Sequence, residues 1–256
     1  MQDMGYREEE GSNRIHDRCA DTYGFDIGAS LAGRLKYELA LRHIVSSDRV
    51  LDVGCANGLF MLPLASRCTE IVGIDINEKM LAIAQSEIGR LALSNAHVSK
   101  QSAMALELPD SSFDVAYCYS LLPLVPDPAQ VIREIARVVR PGGIILLDVP
   151  GRYNLTRIFF TWHYRRMGHP GVKSFRLRDI IDLLAERRLQ VVEDHALGFT
   201  DQWKYVPGLH WCRFLNRIFH APGARDLDYR ISNFGWLRPL ANRWYIVCRC
   251  PGAVEA

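Results

Sequence analysis

The chain has 256 residues, of which 48% are hydrophobic and 23% are charged, and its formal net charge is +2. This composition supports a substantial buried core, which excludes a disordered chain and predicts one α/β domain with insertions. The N-terminus is polar and acidic, and no apolar run reaches about 18 residues, so we predict neither a signal peptide nor a membrane span and expect a cytoplasmic location.

Alternating strands and helices begin at about residue 49. Short apolar runs predict strands at 50–53, 71–76, 98–101, 113–120 and 144–149, with later strands at 189–196 and 244–250. Asn77 is expected to cap a helix after the second strand, and Asp127 with Pro128 to begin another that ends before Pro141. A third amphipathic helix is predicted at 177–184. Such alternation implies right-handed crossovers and a parallel sheet with helices on both faces.

The character of the chain changes after Pro150. Residues 1–150 carry 14 Lys and Arg against 20 Asp and Glu, whereas residues 151–256 carry 17 against 9 and hold all five tryptophans. We therefore predict an N-terminal helical lid segment at 1–48 and a nucleotide-binding core at 49–150. Residues 151–256 are expected to complete the sheet, with substrate-covering insertions at about 151–174 and 199–242.

The strongest local signal is a hydrophobic strand that runs into a glycine loop. Gly54 and Gly58 flank small residues at Cys55 and Ala56, and a loop of this kind lets a ligand approach the backbone closely. The spacing does not fit the G-x-G-x-x-G pattern of nicotinamide dinucleotide sites, so an NAD-dependent oxidoreductase is disfavoured. No metal site is predicted, because the seven cysteines form no C-x-x-C pair.

A carboxylate ends the second predicted strand. Asp75 lies about 20 residues after the glycine loop, at the carboxyl end of its strand. A carboxylate in this place can accept two hydrogen bonds from a ribose diol. The loop and this residue together predict a nucleoside site.

The glycine loop resembles the first motif of the class I S-adenosylmethionine (SAM)-dependent methyltransferases, in particular the small-molecule group related to the ubiquinone and menaquinone methyltransferases. That motif reads D/E-x-G-x-G-x-G and is matched by Asp52, Gly54 and Gly58, with Ala56 in place of the middle glycine. The resemblance implies that residues 54–58, including Cys55 and Asn57, wrap the methionine part of SAM. It implies that Asp52 orients the amino group.

Three further segments match the same family. Residues 102–114 follow its D-A-x-x-L-P-F-x-D-x-S-F-D pattern, and residues 125–128 and 140–143 match its V-P-D-P and K-P-G-G turns. By the resemblance, Ser102 replaces an aspartate that binds the adenine amino group, and the backbone N–H of Ala103 is a second contact. Together with the order of elements, the resemblance implies an α/β fold: a Rossmann-like, doubly wound, mostly parallel seven-stranded sheet with an antiparallel last strand, plus aromatic and basic lid insertions.

Five more residues complete the predicted cofactor site. The resemblance assigns ribose binding to Asp75, extends the contact to Ile76, and places Tyr23 as an N-terminal lid over the cofactor. Tyr119 and Ser120 end the fourth strand, next to the expected position of the methyl group. Met80 either lies against adenine or is a core residue of its helix.

Methyl transfer from a sulfonium is an in-line displacement, so the enzyme mainly positions the acceptor and excludes water. A base would help if the acceptor were a phenol or an alcohol. His163, His169 and His210 fall in the two insertions and are the candidate bases, although each can equally be a structural imidazole. Two histidines that are common in the family are replaced by Pro123 and Leu124.

Arginines alternate with aromatic residues across residues 151–174. Such a surface suits a small or lipid-like, anionic aromatic acceptor, methylated on oxygen, nitrogen or carbon, and it could also contact a membrane surface. A packed lid with solvated arginines is the alternative. Nucleic acid is not expected as a partner, because no RNA-binding module is present.

The function predicted from these patterns is a SAM-dependent methyltransferase that yields S-adenosylhomocysteine. The alternative is a SAM-binding sensor or partner subunit without catalysis, which Ser102 and the replaced histidines keep open.

Overall fold

The computed structural model describes residues 24, 26–154, 157–166, 172–199 and 223–252. These residues build one sheet of seven strands in the order β3-β2-β1-β4-β5-β7-β6. The strands are β1 Arg49–Val53, β2 Glu70–Asp75, β3 Ala96–Lys100, β4 Phe113–Cys118, β5 Val139–Pro150, β6 Gln190–Leu197 and β7 Arg243–Arg249. Strands β1 to β5 are parallel, and β7 runs antiparallel to both β5 and β6. The predicted fold class is confirmed.

Helices cover the sheet. They are α1 Leu31–His43, α2 Met61–Leu64, α3 Glu78–Arg90, α4 Pro128–Val138, α5 Arg157–Arg166, α6 Leu177–Glu186 and α7 Ala224–Ser232. The two expected N-caps are present: Asn77 accepts a hydrogen bond from the Met80 amide (2.8 Å) and Asp127 from the Gln130 amide (3.1 Å). No helix among the described residues is long and apolar enough to span a bilayer.

The central strand β1 is buried on both faces. Leu51 and Val53 belong to the core beneath α4, and Val50 belongs to the core beneath α1 and α2. Because side chains alternate along a strand, this continuous apolar run supplies both cores at once. The two layers of helices therefore hold the carboxyl end of β1 in a fixed position.

One strand starts earlier than its apolar run indicated. β5 begins at Val139, and the residues of the predicted R-P-G-G turn form its irregular start, where a register shift separates the pairing of Phe113 from that of Val115. Gly142 has φ +78° and accommodates the irregularity.

The described end of the second predicted insertion packs on the outer strand. After α7, the Asn233 side chain donates to the Ala196 carbonyl (2.9 Å) and accepts from the Ala196 amide (3.0 Å). These bonds mimic a further strand at this point and attach residues 223–242 to β6. Residues 200–222 of the same insertion lie outside the described residues.

A glycine in β2 makes the sheet sensitive to one added methyl group. A Cβ on Gly73 would lie 2.7 Å from Met61 Sδ and 2.8 Å from Cys55 Sγ, whereas a Cβ on Gly89 of α3 would meet nothing within 4 Å. We expect Gly73→Ala to lower the free energy of unfolding by about 1–3 kcal/mol through overpacking. The matched control Gly89→Ala should raise it by up to about 1 kcal/mol, because alanine favours a helix. Urea unfolding followed by circular dichroism measures both, and equal effects would contradict the packing described for β2.

Candidate cofactor and acceptor site

The chain turns sharply where β1 ends. The amides of Gly54 and Cys55 both donate to the Ile74 carbonyl, at 2.8 and 3.0 Å. Gly54 has φ +81°, and a Cβ there would lie 3.1 Å from the Leu121 side chain. Gly58 has φ +86°. Both glycines of the predicted loop therefore occupy backbone conformations that disfavour other residues.

Ala56 has a backbone conformation typical of glycine although it carries a side chain. Its φ is +48°, in the left-handed region, where a residue with a Cβ costs about 1–2 kcal/mol relative to glycine. Its amide donates to Asp75 Oδ2 at 2.9 Å, and this bond holds the strained residue in place. The position of the middle glycine therefore keeps a glycine-like backbone although the residue is alanine.

Asp75 ties the loop to the next helix. Besides the Ala56 amide, its carboxylate accepts the Asn77 amide at 2.9 Å through Oδ1. Each carboxylate oxygen has a further lone pair, so the group can accept additional hydrogen bonds from a diol. The residue is half-buried at the carboxyl end of β2, as the sequence predicts.

Asp52 is a buried acid at the base of the loop. It is 4% exposed and accepts a hydrogen bond from the Tyr117 hydroxyl at 2.9 Å. Burial raises its pKa to about 8, although the Tyr117 hydrogen bond and the charge of Lys36 oppose the shift. The free protein therefore holds Asp52 largely protonated at neutral pH, and a cation placed beside it would favour the ionised form.

A cleft of about 270 Å³ opens between the loop, α1 and the adjoining ends of β4 and β7. Six predicted site residues lie on its wall: Asp52, Gly54, Cys55, Ala56, Tyr119 and Ser120. The Tyr119 hydroxyl donates to the Lys36 carbonyl at 3.0 Å, so this side chain also fastens α1 over the cleft. Phe60 packs edge-on against the Tyr119 ring, with 5.3 Å between centroids.

The other predicted cofactor residues are not part of that wall: Asn57, Gly58, Asp75, Ile76, Met80, Ser102 and Ala103. Met80 is fully buried, which agrees with the core alternative that the sequence left open. Ser102 lies in the turn after β3, where its hydroxyl accepts the Met104 amide at 3.3 Å, and Ala103 beside it is buried. Adenine contacts for these three residues stay predictions.

The candidate bases are not tested by the geometry. Tyr23, His169 and His210 lie outside the described residues, and His163 lies in α5 with its side chain outside the description. Among the described residues that line the cleft, none is a histidine. The base assignments remain predictions.

A buried ionic cluster lies on the far wall of the cleft, and we call it the Asp148 cluster: Lys36, Ser120, Asp148 and Arg243. Sequence reasoning predicted Ser120 but missed its three charged partners. Asp148, at the end of β5, is fully buried and forms ion pairs with Lys36 (3.2 Å) and Arg243. Its Oδ1 accepts the Ser120 amide at 2.5 Å. The only available signal was one acid inside the apolar run 144–149, and nothing in the spacing identified its partners.

The cluster keeps Asp148 ionised. Burial alone would raise the pKa of Asp148, but Lys36, Arg243 and the Ser120 amide together hold it below its ordinary value. Burial lowers the pKa of Lys36 to about 8, with Asp148 opposing the shift. At neutral pH the cluster therefore contains two cations and one carboxylate.

The raised pKa of Asp52 predicts a pH-dependent stability. Between its ordinary pKa of 3.8 and the folded value of about 8, the folded state binds more protons at Asp52 than the unfolded state does. The stability contributed by this group is complete below its ordinary pKa and is lost as pH rises towards about 8. We expect Asp52→Asn to remove this decline, which amounts to at most about 1.4 kcal/mol per pH unit.

Urea unfolding of the ligand-free protein across this pH range measures the effect. The matched control is Asp110→Asn, since the Asp110 side chain is 74% exposed. Parallel pH profiles for wild type and Asp52→Asn would show that the Asp52 pKa is not raised.

Comparisons with known proteins agree with this geometry. Residues 51–147 match a family model described as "Methyltransferase domain". The "Ubiquinone biosynthesis O-methyltransferase" of Pseudomonas aeruginosa is 39% identical over 111 residues, which cover 42% of this chain and 47% of that protein. The chain thus aligns with about half the length of the curated relatives it matches.

Two solved structures share the fold. The "[4+2]-Cyclase SpnF" aligns with a TM-score of 0.63 and 22% identity, over 89% of this chain and 84% of that one. A "SAM dependent methyltransferase from Aquifex aeolicus" aligns with a TM-score of 0.55 and 15% identity, over 84% and 89%. At these identities the likeness concerns the fold alone. With the strand order, the glycine loop and the family match in agreement, residues 51–147 form a methyltransferase domain of the class I, SAM-dependent type.

Proposed function

We propose that this protein transfers a methyl group from SAM to a small or lipid-like, anionic aromatic acceptor, with oxygen as the methylated atom. The observation that carries the proposal is the juxtaposition of the Gly54–Gly58 loop and the Asp75 carboxylate with a cleft at the carboxyl edge of the sheet. The choice of oxygen is supported by the name of the ubiquinone relatives.

The residues of the loop fit the cofactor. SAM supplies an activated methyl group on a sulfonium. Gly54 leaves the backbone open to a methionine chain, Asp75 can accept the hydrogen bonds of a ribose diol, and Asp52 can pair with an ammonium group once it is ionised. Phe60 and Tyr119, which also line the cleft, would exclude water from the methyl group.

The acceptor class is supported by a second groove of about 280 Å³ near the end of β5. Phe175 and Trp244 give it an apolar lining, and exposed Arg176 and Arg178 stand at its border. On helix α5, Trp162 is 53% exposed and Arg166 lies over its ring at 5.0 Å. An aromatic molecule with an acidic group matches both the apolar lining and the guanidinium groups.

Cofactor binding is tested by removing the carboxylate that would hold the ribose. We expect Asp75→Ala to weaken S-adenosylhomocysteine binding at least about tenfold, as the loss of hydrogen bonds to a charged group predicts. Gly54→Val should block the loop sterically. Isothermal titration calorimetry measures both variants, and Asp110→Ala is the control carboxylate deletion. Unchanged affinity in both test variants would show that the site is assigned wrongly.

Catalysis is tested separately from binding. The purified protein is incubated with SAM and a panel of phenols and quinols, and S-adenosylhomocysteine is quantified by mass spectrometry. We expect formation that depends on the acceptor and is lost in Asp75→Ala. Tight binding of SAM without turnover on any acceptor would instead support the non-catalytic sensor or partner subunit.

A further inference from the structure

Ser120 holds a strained conformation at the wall of the cleft. Its φ is +62°, which is unfavourable for a residue with a side chain, and its amide donates to the buried carboxylate of Asp148 at 2.5 Å. That bond fixes Ser120, the second residue after β4. The hydroxyl is therefore presented to the cleft by a backbone that the surrounding structure constrains.

Two cations occupy the acceptor lone pairs of the Ser120 hydroxyl. Lys36 Nζ donates to Ser120 Oγ at 2.8 Å, and Arg243 Nη1 donates to the same atom at 3.2 Å. A serine hydroxyl has two acceptor lone pairs and one proton. No described residue accepts that proton, so Ser120 is left as a hydrogen-bond donor at the cleft surface, polarised by both cations.

Among the described residues, two cations and one ionised acid surround this donor. Lys36 and Arg243 both form ion pairs with the buried carboxylate of Asp148. Asp26, a further acid on the border of the cleft, is exposed to solvent, and Asp52 is largely protonated in the free protein. Because Lys36 is itself only 6% exposed, its positive charge acts in a region with little water to screen it.

We propose that Ser120, backed by Lys36 and Arg243, binds an anionic oxygen of the methyl acceptor, either a carboxylate or an ionised hydroxyl. The inference rests on the proposed function, because it assigns Ser120, which the sequence predicted as a cofactor contact, to the acceptor instead. A hydrogen bond to an ionised oxygen is about twice as strong as one to a neutral oxygen. The contact with Ser120 therefore distinguishes an ionised substrate from a neutral molecule of the same shape.

The test uses small probes in the presence of saturating S-adenosylhomocysteine. Benzoate and 4-nitrophenolate represent the two sources of an anionic oxygen, and benzamide is the neutral counterpart of benzoate. By calorimetry, we expect wild type to bind at least one anion about tenfold more tightly than benzamide. The anion that binds identifies the source of the oxygen.

Ser120→Ala is the decisive variant, because it removes the hydroxyl and leaves the Cβ, the amide and the ion pairs in place. We expect its affinity for the anion to fall about tenfold, to that of benzamide, while the affinity for S-adenosylhomocysteine changes less than about twofold. Lys36→Met should have a larger effect on the anion. The control Lys100→Met removes an exposed lysine at the end of β3 and should leave both affinities unchanged.

Several results would overturn the inference. Equal binding of anions and benzamide by wild type would do so, as would unchanged anion binding in Ser120→Ala. A parallel loss of S-adenosylhomocysteine and anion affinity in Ser120→Ala would assign the hydroxyl to the cofactor instead. If Lys36→Met fails to fold in a thermal melt, Ser120→Ala still decides. If S-adenosylhomocysteine does not bind wild type at all, the proposed function fails, and titration of the anions without it tests the Ser120 site alone.

Discussion

The buried carboxylate of Asp148 is the constraint on which the cleft depends. Burial of an ionised carboxylate costs several kcal/mol of folding free energy unless hydrogen-bond donors surround it. Here the donors come from three distant parts of the chain. Lys36 belongs to α1, the Ser120 amide follows β4, and Arg243 begins β7. Because removal of any one donor would leave the charge less compensated, α1 and the three strands are held in one arrangement at the carboxyl edge of the sheet.

The opposite wall of the cleft follows from short-range rules and could be predicted from the sequence. Three features lie within 26 residues: a strand, two glycines that need positive φ, and an acid at the end of the next strand. Each feature restricts the type of residue at its own position, so it is visible in the sequence. The same holds for the caps at Asn77 and Asp127 and for the alternation that defines the sheet. The class of sheet and the positions of Asp52, Gly54 and Asp75 at the strand ends were therefore predicted from the sequence.

The far wall could not be predicted, because its contacts are long-range. Lys36 lies on an amphipathic helix, where a lysine is ordinarily on the solvated side, and 84 residues separate it from Ser120. Arg243 is 95 residues from Asp148. Neither residue belongs to a motif. Nor could the sequence decide between core and adenine for Met80, since both positions accept an unbranched apolar side chain. The strained backbone of Ala56 could not be predicted from the sequence either, because the size of a side chain does not indicate the φ angle of its residue.

The position of β7 has a consequence for how the protein acquires its site during synthesis. β7 comes last among the strands in the chain but lies between β5 and β6 in the sheet. A nascent polypeptide that has emerged only as far as residue 240 would therefore present an unpaired edge of β5, an unpaired segment β6 and an Asp148 that still lacks Arg243. Until β7 inserts, such an intermediate is exposed to aggregation, so the wall formed by the Asp148 cluster is complete only after residues 243–249 have emerged and paired.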